Sequence, residues 1–312
     1  MKIPHDFWDK VETENLSHII ISDTDSLFVS IPDIICETTQ EYVDKANELA
    51  NNINTEIINY LNNNVLPKMN LEKNHNETFF KTESIMSSIM CLDVKKKYCL
   101  KEIAKEGKIH GNPITKYTGI SVVRSNSANW TKDFIRETVS NLALNTSVKS
   151  KIDVKNKLQE IAEKFYNRLK KDIELYDFSY IGVPCKWGST AYKRDTAEII
   201  GMKLYNTLKE EDYFQENTNG KKIPIKIKNI NEFLQKIEPL KNKFPGQTIG
   251  NITVDKLNFL VVPVYHQKEI LEPIFNNFGI EIDLELTWKK LVETTLLRII
   301  DCIKESHGLP KT

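Results

Sequence analysis

Residues 18–31 read His-Ile-Ile-Ile-Ser-Asp-Thr-Asp-Ser-Leu-Phe-Val-Ser-Ile, a pattern that sets the architecture of the N-terminal part. Two short runs rich in β-branched and aromatic residues flank a polar centre, which is typical of a β-hairpin. Asp23 and Asp25 stand two positions apart, so both carboxylates are expected to project to one side at its tip. A divalent cation would compensate these two charges. The pattern therefore predicts a metal-binding hairpin, although Asp-x-Asp alone also occurs in calcium sites and sugar-nucleotide enzymes.

The composition is that of an ordinary globular protein. The 312 residues carry 43 basic and 43 acidic side chains, and 40% of the residues are hydrophobic. These values exclude a disordered, a collagen-like or a small disulfide-stapled chain. No run of 18 apolar residues is present, so we expect no membrane span. Five cysteines without metal-ligand spacing indicate free thiols, which predicts a cytoplasmic protein.

The charges are distributed unevenly. Residues 1–35 hold two Lys against seven Asp or Glu, a net charge of −5. Residues 95–132 hold eight Lys and one Arg against two Glu, a net charge of +7. An acidic spot near a basic band is expected of an enzyme that binds metal and handles a polyanion, with a solvated basic face as the alternative.

The first 124 residues have an α+β pattern. Thr38 and Glu41 form a capping box that predicts the start of a helix, and apolar residues then recur at helical spacing up to Val65. From residue 77 to about 123 the pattern is strand-like, beginning with Phe79–Glu83.

The remainder is predicted to be mainly helical. Asn129 is a predicted N-cap, and apolar periodicity predicts further helices over residues 158–173, 191–208 and 288–303. Residues 221–228 alternate like a strand, and Pro224 favours its placement at a sheet edge.

Two further segments carry residues suited to nucleic acid. Asp93-Val94-Lys95-Lys96-Lys97-Tyr98 contains three cations that cannot all share one strand face, and phosphate oxygens are suitable acceptors. Residues 116–127 read Lys-Tyr-Thr-Gly-Ile-Ser-Val-Val-Arg-Ser-Asn-Ser, in which a glycine permits close backbone approach and an arginine and hydroxyls can hold phosphate. Each segment alone is weak evidence for nucleic-acid binding, and for the lysine run a solvated surface is the ordinary alternative.

In this order and spacing, the three segments resemble the C-terminal part of family B DNA polymerases. Residues 22–27 are similar to the core of motif C, residues 95–98 to the Lys-Lys-Arg/Lys-Tyr motif, and residues 119–127 to the palm-to-thumb entry. Within the family the chain is most similar to the replicative polymerases of T-even phages, which indicates a viral source. The resemblance implies an α+β fold: the C-terminal half of a palm, an antiparallel sheet with helices, over residues 1–124, followed by a mainly helical thumb over residues 125–312.

The resemblance also implies roles for individual residues. Asp25 would be a principal ligand of two catalytic Mg²⁺ ions, Asp23 would support the site, and Glu83 would lie beside it. The residues expected to hold primer–template DNA are Lys95, Lys96, Lys97, Tyr98, Gly119, Arg124, Ser125 and Ser127.

The chain departs from the family pattern in four ways. The Asp of motif A is absent, the fingers motif that grips deoxynucleoside triphosphates is absent, and nothing corresponds to the 3′–5′ exonuclease. Ile21-Ser22 also replaces the usual Tyr-Gly before the Asp pair. We therefore predict one subunit of a split polymerase, active only with a second chain that supplies the missing parts. A sliding clamp is implied only as a general replisome partner, because residues 306–312 lack an aromatic pair.

Two other functions stay open on the sequence. A non-catalytic DNA-binding palm–thumb remnant or accessory replication protein would keep the basic segments without needing metal. An unrelated Asp-x-Asp metal enzyme, such as a nucleotide-sugar transferase, would not bind primer–template DNA.

Overall fold

A computed structural model describes residues 19–23, 26–31, 36–71, 79–145, 147–148, 150–187, 196–209, 218–241, 257–263, 268–293 and 295–311. The chain is α+β with antiparallel strand pairs, as predicted. No helix in these ranges is both long and apolar enough to cross a membrane.

The elements follow one another in chain order. The strands are β1 Ile19–Asp23, β2 Ser26–Val29, β3 Ser84–Cys91, β4 Tyr98–Lys105, β5 Lys108–Thr118, β6 Val183–Trp187, β7 Thr218–Ile227, β8 Phe259–Pro263 and β9 Ile280–Ile282. The helices are α1 Thr39–Tyr60, α2 Asn129–Thr138, α3 Lys151–Glu174, α4 Phe178–Ile181, α5 Ala197–Lys209, α6 Ile230–Lys241, α7 Lys268–Asn277, α8 Leu284–Val292 and α9 Thr295–Ser306.

The chain forms two compact units. The first unit comprises residues 1–86 and 102–114, and the second unit comprises residues 87–101 and 115–312. The subdomain boundary near residue 124 stays a prediction.

The first unit contains the predicted hairpin and the predicted helix. Strands β1 and β2 pair antiparallel, with Ser22 opposite Leu27. The side chain of Thr38 accepts a hydrogen bond from the backbone N–H of Glu41 at 3.2 Å and so caps α1. The helix continues through a π turn and a 3₁₀ turn to Met69, beyond Val65, where the predicted apolar repeat ends. Thus the capping box and the apolar periodicity located this helix correctly.

Strands β3, β4 and β5 are hydrogen-bonded in that order. Glu106 and Gly107 connect β4 to β5 with φ angles of 48° and 75°, the left-handed pair that a tight hairpin turn requires. The prediction of a strand at residues 79–83 is wrong. The Asn54 side chain of α1 donates its amide N–H to the carbonyl of Phe80, and its amide oxygen accepts from the backbone N–H of Phe80. Phe80 therefore hydrogen-bonds to a helix instead of a strand.

The second unit holds a sheet in the order β6-β7-β8, with β9 pairing the far end of β7. The prediction that residues 221–228 form an edge strand is wrong, because β7 is central and pairs with all three other strands. Pro224 is tolerated there because it lies where the partners change: pairing with β8 ends at Pro224, and pairing with β9 begins at Ile225.

An aromatic cluster fixes α2 within the second unit. Trp130 is fully buried, and its indole N–H donates to the carbonyl of Phe165 in α3 at 3.1 Å. Phe134 stacks on Phe165 with 4.6 Å between ring centroids, and Trp288 of α8 packs edge-on against Trp130. These contacts hold the N-terminal end of α2, and thereby the segment that enters it, in a defined place.

The single helix predicted for residues 288–303 is two helices, α8 and α9. The last turn of α8 leaves carbonyl groups without partners inside the helix. Thr131 of α2 donates its hydroxyl to the carbonyl of Leu291 at 3.0 Å, which satisfies one of these carbonyls. A contact distant in sequence therefore supports the break.

Candidate nucleic-acid interface

The Asp-x-Asp motif lies on the β1–β2 hairpin. Asp23 is the last residue of β1 and its backbone pairs with Ser26, the first residue of β2. Asp25, the predicted principal metal ligand, lies outside the described residues, as does the side chain of Asp23. The roles of both carboxylates stay predictions.

Glu83 directly precedes β3 and its side chain is exposed. Its carbonyl accepts a hydrogen bond from the backbone N–H of Glu106 at 2.7 Å. Within the described ranges no group of three or more His, Cys, Asp or Glu side chains could hold a metal ion. The part of Glu83 in a metal site stays a prediction.

The basic segment forms the turn between β3 and β4. Leu92 donates its backbone N–H to the carbonyl of Lys97 at 2.9 Å, and Lys97 donates its own to the carbonyl of Val94 at 3.2 Å. Lys96 has φ of 58°, which reverses the chain direction. Lys95 and Lys96 are exposed, while Lys97 and the adjoining tyrosine are half-buried. The turn thus presents cations outward from a closed backbone loop, hereafter the basic turn (residues 92–97).

Gly119 packs directly against the basic turn. Its φ is 64°, and a Cβ placed on it would meet the carbonyl oxygen of Lys96 at 2.3 Å and Cγ of Lys97 at 3.1 Å. Because real Cβ atoms do not approach other atoms within 3.0 Å, only glycine fits here. The structure therefore brings together two segments that were predicted separately to bind DNA.

The residues after Gly119 lead from β5 into α2. Ile120 and Val122 are buried and anchor the segment in the core. Arg124 and Ser125 are exposed, and Ser127 is half-buried next to α2. In the part of the chain that the structure describes, Lys95, Lys97 and Arg124 have no ion-pair partner, so their charges are available to an external anion.

Four further lysines lie on β7 and directly after it, at positions 221, 222, 226 and 228. The structure neutralises most of them. Lys226 and Lys228 lie 3.7 and 2.9 Å from Glu281, and Lys222 lies 2.7 Å from Glu198. The hydrogen bond from Lys222 lowers the pKa of the Glu198 carboxyl. These lysines are therefore poor candidates for phosphate contacts.

Lys221 differs from them because it is only 9% exposed. Burial, followed by the nearby charge of Lys132 in α2, lowers the pKa of its ammonium group. The alternation of side chains along a strand could have predicted opposite environments for Lys221 and Lys222. It could not have predicted Lys132 as a neighbour, which depends on the packing of α2.

Of three comparisons with known proteins, only the comparison with solved structures finds a match. No model of a known protein family matches the chain, and no curated protein matches it. The structure is similar to the family B DNA polymerase from the hyperthermophilic archaeon Pyrobaculum calidifontis, with a TM-score of 0.48 and 12% sequence identity. The match covers 94% of this chain and 28% of that one, so the chain corresponds to little more than a quarter of the polymerase.

Proposed function

We propose that the chain is the palm–thumb subunit of a split family B DNA-directed DNA polymerase, of the T-even phage type, working in a host cytoplasm. The observation that carries the proposal is the contact between Gly119 and the basic turn. Motif resemblance suggested that both segments bind primer–template DNA, and a shared binding surface requires them to be adjacent in space. Their adjacency is a long-range contact that neither motif contains.

The chemistry of this surface suits a duplex backbone. Lys95 in the basic turn and Arg124 after Gly119 are exposed cations, and Lys97 adds another charge to the basic turn. Lysine and arginine that neutralise phosphates release condensed counterions, which makes binding strong at low salt and independent of sequence. Tyr98 adjoins the turn, where its ring could pack on a sugar. A rigid basic turn would hold the duplex in one register, which helps to align reacting groups.

The carboxylates of the hairpin suit a divalent cation. Asp23 and Asp25 would hold two Mg²⁺ ions together with a carboxylate from the partner chain, and the exposed Glu83 would support them. Carboxylate oxygens are the ligands that Mg²⁺ prefers. When bound there, Mg²⁺ supplies Lewis-acid chemistry for nucleotidyl transfer.

The first unit has the character of an incomplete domain. Among its described residues only Val43, Leu66 and Ala104 are buried apolar side chains, and both buried apolar clusters of the structure belong to the second unit. Along the apolar stripe of α1 every position after Val43 is only half-buried. A 22-residue amphipathic helix normally buries such a stripe against another element.

Large apolar side chains are also exposed across the first unit. They are Ile20, Leu27, Val29, Tyr60, Met69, Leu71, Phe79, Ile109 and Ile114. Extensive exposed apolar surface marks an interaction site. This supports a second chain docked on the first unit, which would carry motif A, the fingers that bind deoxynucleoside triphosphates, and the exonuclease. A sliding clamp is proposed only as a general partner within the replisome.

Duplex binding tests the DNA-binding part of this proposal. We expect Lys95→Gln and Lys97→Gln each to weaken binding of a primer–template duplex and to reduce the slope of log affinity against log salt by about one. Lys155→Gln removes an exposed cation from α3, outside the three segments, and serves as the control. Equal effects of all three variants would contradict a specific role for the basic turn.

The second candidate is a DNA-binding palm–thumb remnant without catalysis. The same contact of Gly119 with the basic turn favours it, since that surface needs no metal. It predicts full duplex binding but no nucleotide incorporation with any partner chain.

A further inference from the structure

A cavity of about 180 Å³ lies in the second unit, between the N-terminal end of α2, α8 and the sheet. Apolar side chains form much of its described lining: Ile181, Val183, Pro224, Phe259 and Leu291. Polar side chains line the remainder: Asn126, Ser127, Thr131, Lys222, Thr287 and Lys290. The cavity therefore combines an apolar part with a polar part that contains two lysines.

The polar groups differ in how far their bonding is already satisfied. Lys222 is balanced by Glu198 at 2.7 Å. Lys290 is exposed and has no ion-pair partner among the described residues, nor do Asn126 and Ser127 have hydrogen-bond partners there. The cavity thus has one uncompensated positive charge, together with an amide and a hydroxyl available to a ligand.

The N-terminal end of α2 contributes further donors. The sequence predicted Asn129 as the N-cap, but the N-cap is Ala128, which lines the cavity and has no side chain that could accept a hydrogen bond. The first backbone N–H groups of a helix have no partner inside it, and they favour an anion together with the helix dipole. Because a lysine charge and an uncapped helix end meet at one cavity, the polar part is suited to an anionic group.

We propose that this cavity binds one unpaired nucleotide, with its phosphate near the α2 N-terminus and Lys290 and its base in the apolar part. The choice of a nucleotide among anions with an apolar body rests on the proposed function. Ser127 links the cavity to the proposed DNA-binding surface, since it ends the segment predicted to hold DNA and also lines the cavity. Asn126 offers both a donor and an acceptor to a base edge. Two sources share this chemistry: a free nucleoside monophosphate and the end of a single DNA strand.

Calorimetric titration of the full chain tests the proposal. The probes are deoxyadenosine 5′-monophosphate, inorganic phosphate and deoxyadenosine. We expect the nucleotide to bind more tightly than either fragment by about tenfold or more, since each fragment uses only one part of the cavity. Equal affinity for inorganic phosphate would reveal an anion site only and would overturn the proposal, as would no binding of the nucleotide.

Two variants locate the binding. Lys290→Glu should weaken nucleotide binding by about tenfold or more, because it removes one charge-assisted hydrogen bond and places a negative charge beside the phosphate. Lys289→Glu is the matched control, because the adjacent Lys289 pairs with Glu293 at 3.3 Å and does not line the cavity. Ala128→Leu should fill the cavity and abolish binding. If that variant does not fold, Lys290→Glu at its exposed position decides alone, and unchanged binding there overturns the proposal.

Competition separates the two sources. Displacement of the nucleotide by a 5′-phosphorylated oligodeoxyadenylate assigns the cavity to a strand end, whereas no displacement assigns it to a free nucleotide. The outcome is also distinguishable from that of the proposed function. If Lys95→Gln and Lys97→Gln leave duplex binding unchanged while the nucleotide still binds, the proposed function fails and this inference stands. If both variants weaken duplex binding but the nucleotide does not bind, only this inference fails.

Discussion

Replacing Gly119 by alanine should destabilise the second unit and displace the basic turn. Two costs add at this position. An L-residue at φ of 64° costs roughly 1–2 kcal/mol. The new Cβ would also lie 2.3 Å from the carbonyl oxygen of Lys96, so the turn must move by at least 0.7 Å to reach the 3.0 Å limit of real contacts. Forced repacking of this kind costs roughly 1–3 kcal/mol.

The expected loss in free energy of unfolding is therefore about 2–5 kcal/mol. Gly279→Ala is the matched control in the same unit. Gly279 has φ of 61°, but the nearest atom to its Cβ position is Cβ of Lys228 at 3.9 Å, an ordinary contact. This control has only the conformational cost, roughly 1–2 kcal/mol.

Urea unfolding of both variants measures the difference, and a duplex-binding titration shows whether the displaced turn loses affinity for DNA. Gly119→Ala should lose more stability than Gly279→Ala and should also bind duplex more weakly. Equal losses of stability, with duplex binding unchanged in both variants, would refute the claim that Gly119 holds the basic turn in place.

Three further predictions concern stability. Burial and a hydrogen bond to the carboxylate of Asp133 raise the pKa of Tyr180 to about 12, so the folded state favours the neutral phenol. The stabilisation from this shift is complete below the unfolded pKa of about 10 and is lost as pH rises towards 12. Thermal unfolding between pH values of about 10 and 12 should therefore depend less on pH in Tyr180→Phe than in the unmodified chain. Arg168→Gln leaves the buried carboxylate of Asp172 without its 3.0 Å partner and should cost about 1–3 kcal/mol in urea unfolding, whereas Lys157→Gln, which breaks an exposed pair, should cost less than about 1 kcal/mol. Thr38→Ala removes the cap of α1 and should lower helix stability by about 1 kcal/mol, visible as reduced hydrogen-exchange protection in the first turn.

Local patterns in the sequence predicted the local structure well. The β1–β2 hairpin and the cap of α1 both follow from a few neighbouring residues, and the structure confirms them. Apolar periodicity likewise located the long helix α3, although the helix begins at Lys151, capped by Ser150, seven residues before the predicted stretch. Such features depend on propensity and hydrogen bonds within a few residues, which a sequence displays directly.

Long-range pairing could not be predicted in the same way. The sequence placed β7 at an edge because of Pro224, but β7 pairs with β8 and β9, which lie more than 30 residues further along the chain. The four-stranded sheet is formed by such distant pairs, and no local signal announces them. For the same reason the cavity beside Lys290 was not foreseen, since its lining comes from separate helices and strands.

In the candidate site, too, the local segments were predicted from the sequence and the long-range contact between them was not. Residue types and spacing pointed to Lys95–Tyr98 and to Gly119 as DNA-binding segments, each on its own evidence. Their contact, with the backbone of Lys96 against Gly119, is a feature of the folded chain. The metal-binding half of the site stays a prediction from motif resemblance.

We propose that this chain supplies carboxylates to an active site completed by a second chain. The most direct measurement is Mg²⁺-dependent primer extension by the complex that the chain forms in its native source, compared with the purified chain alone. We expect extension by the complex only, abolished by Asp25→Ala while duplex binding is kept, and this result would support the proposal. Extension that survives Asp25→Ala, or duplex binding without extension in any complex, would contradict it.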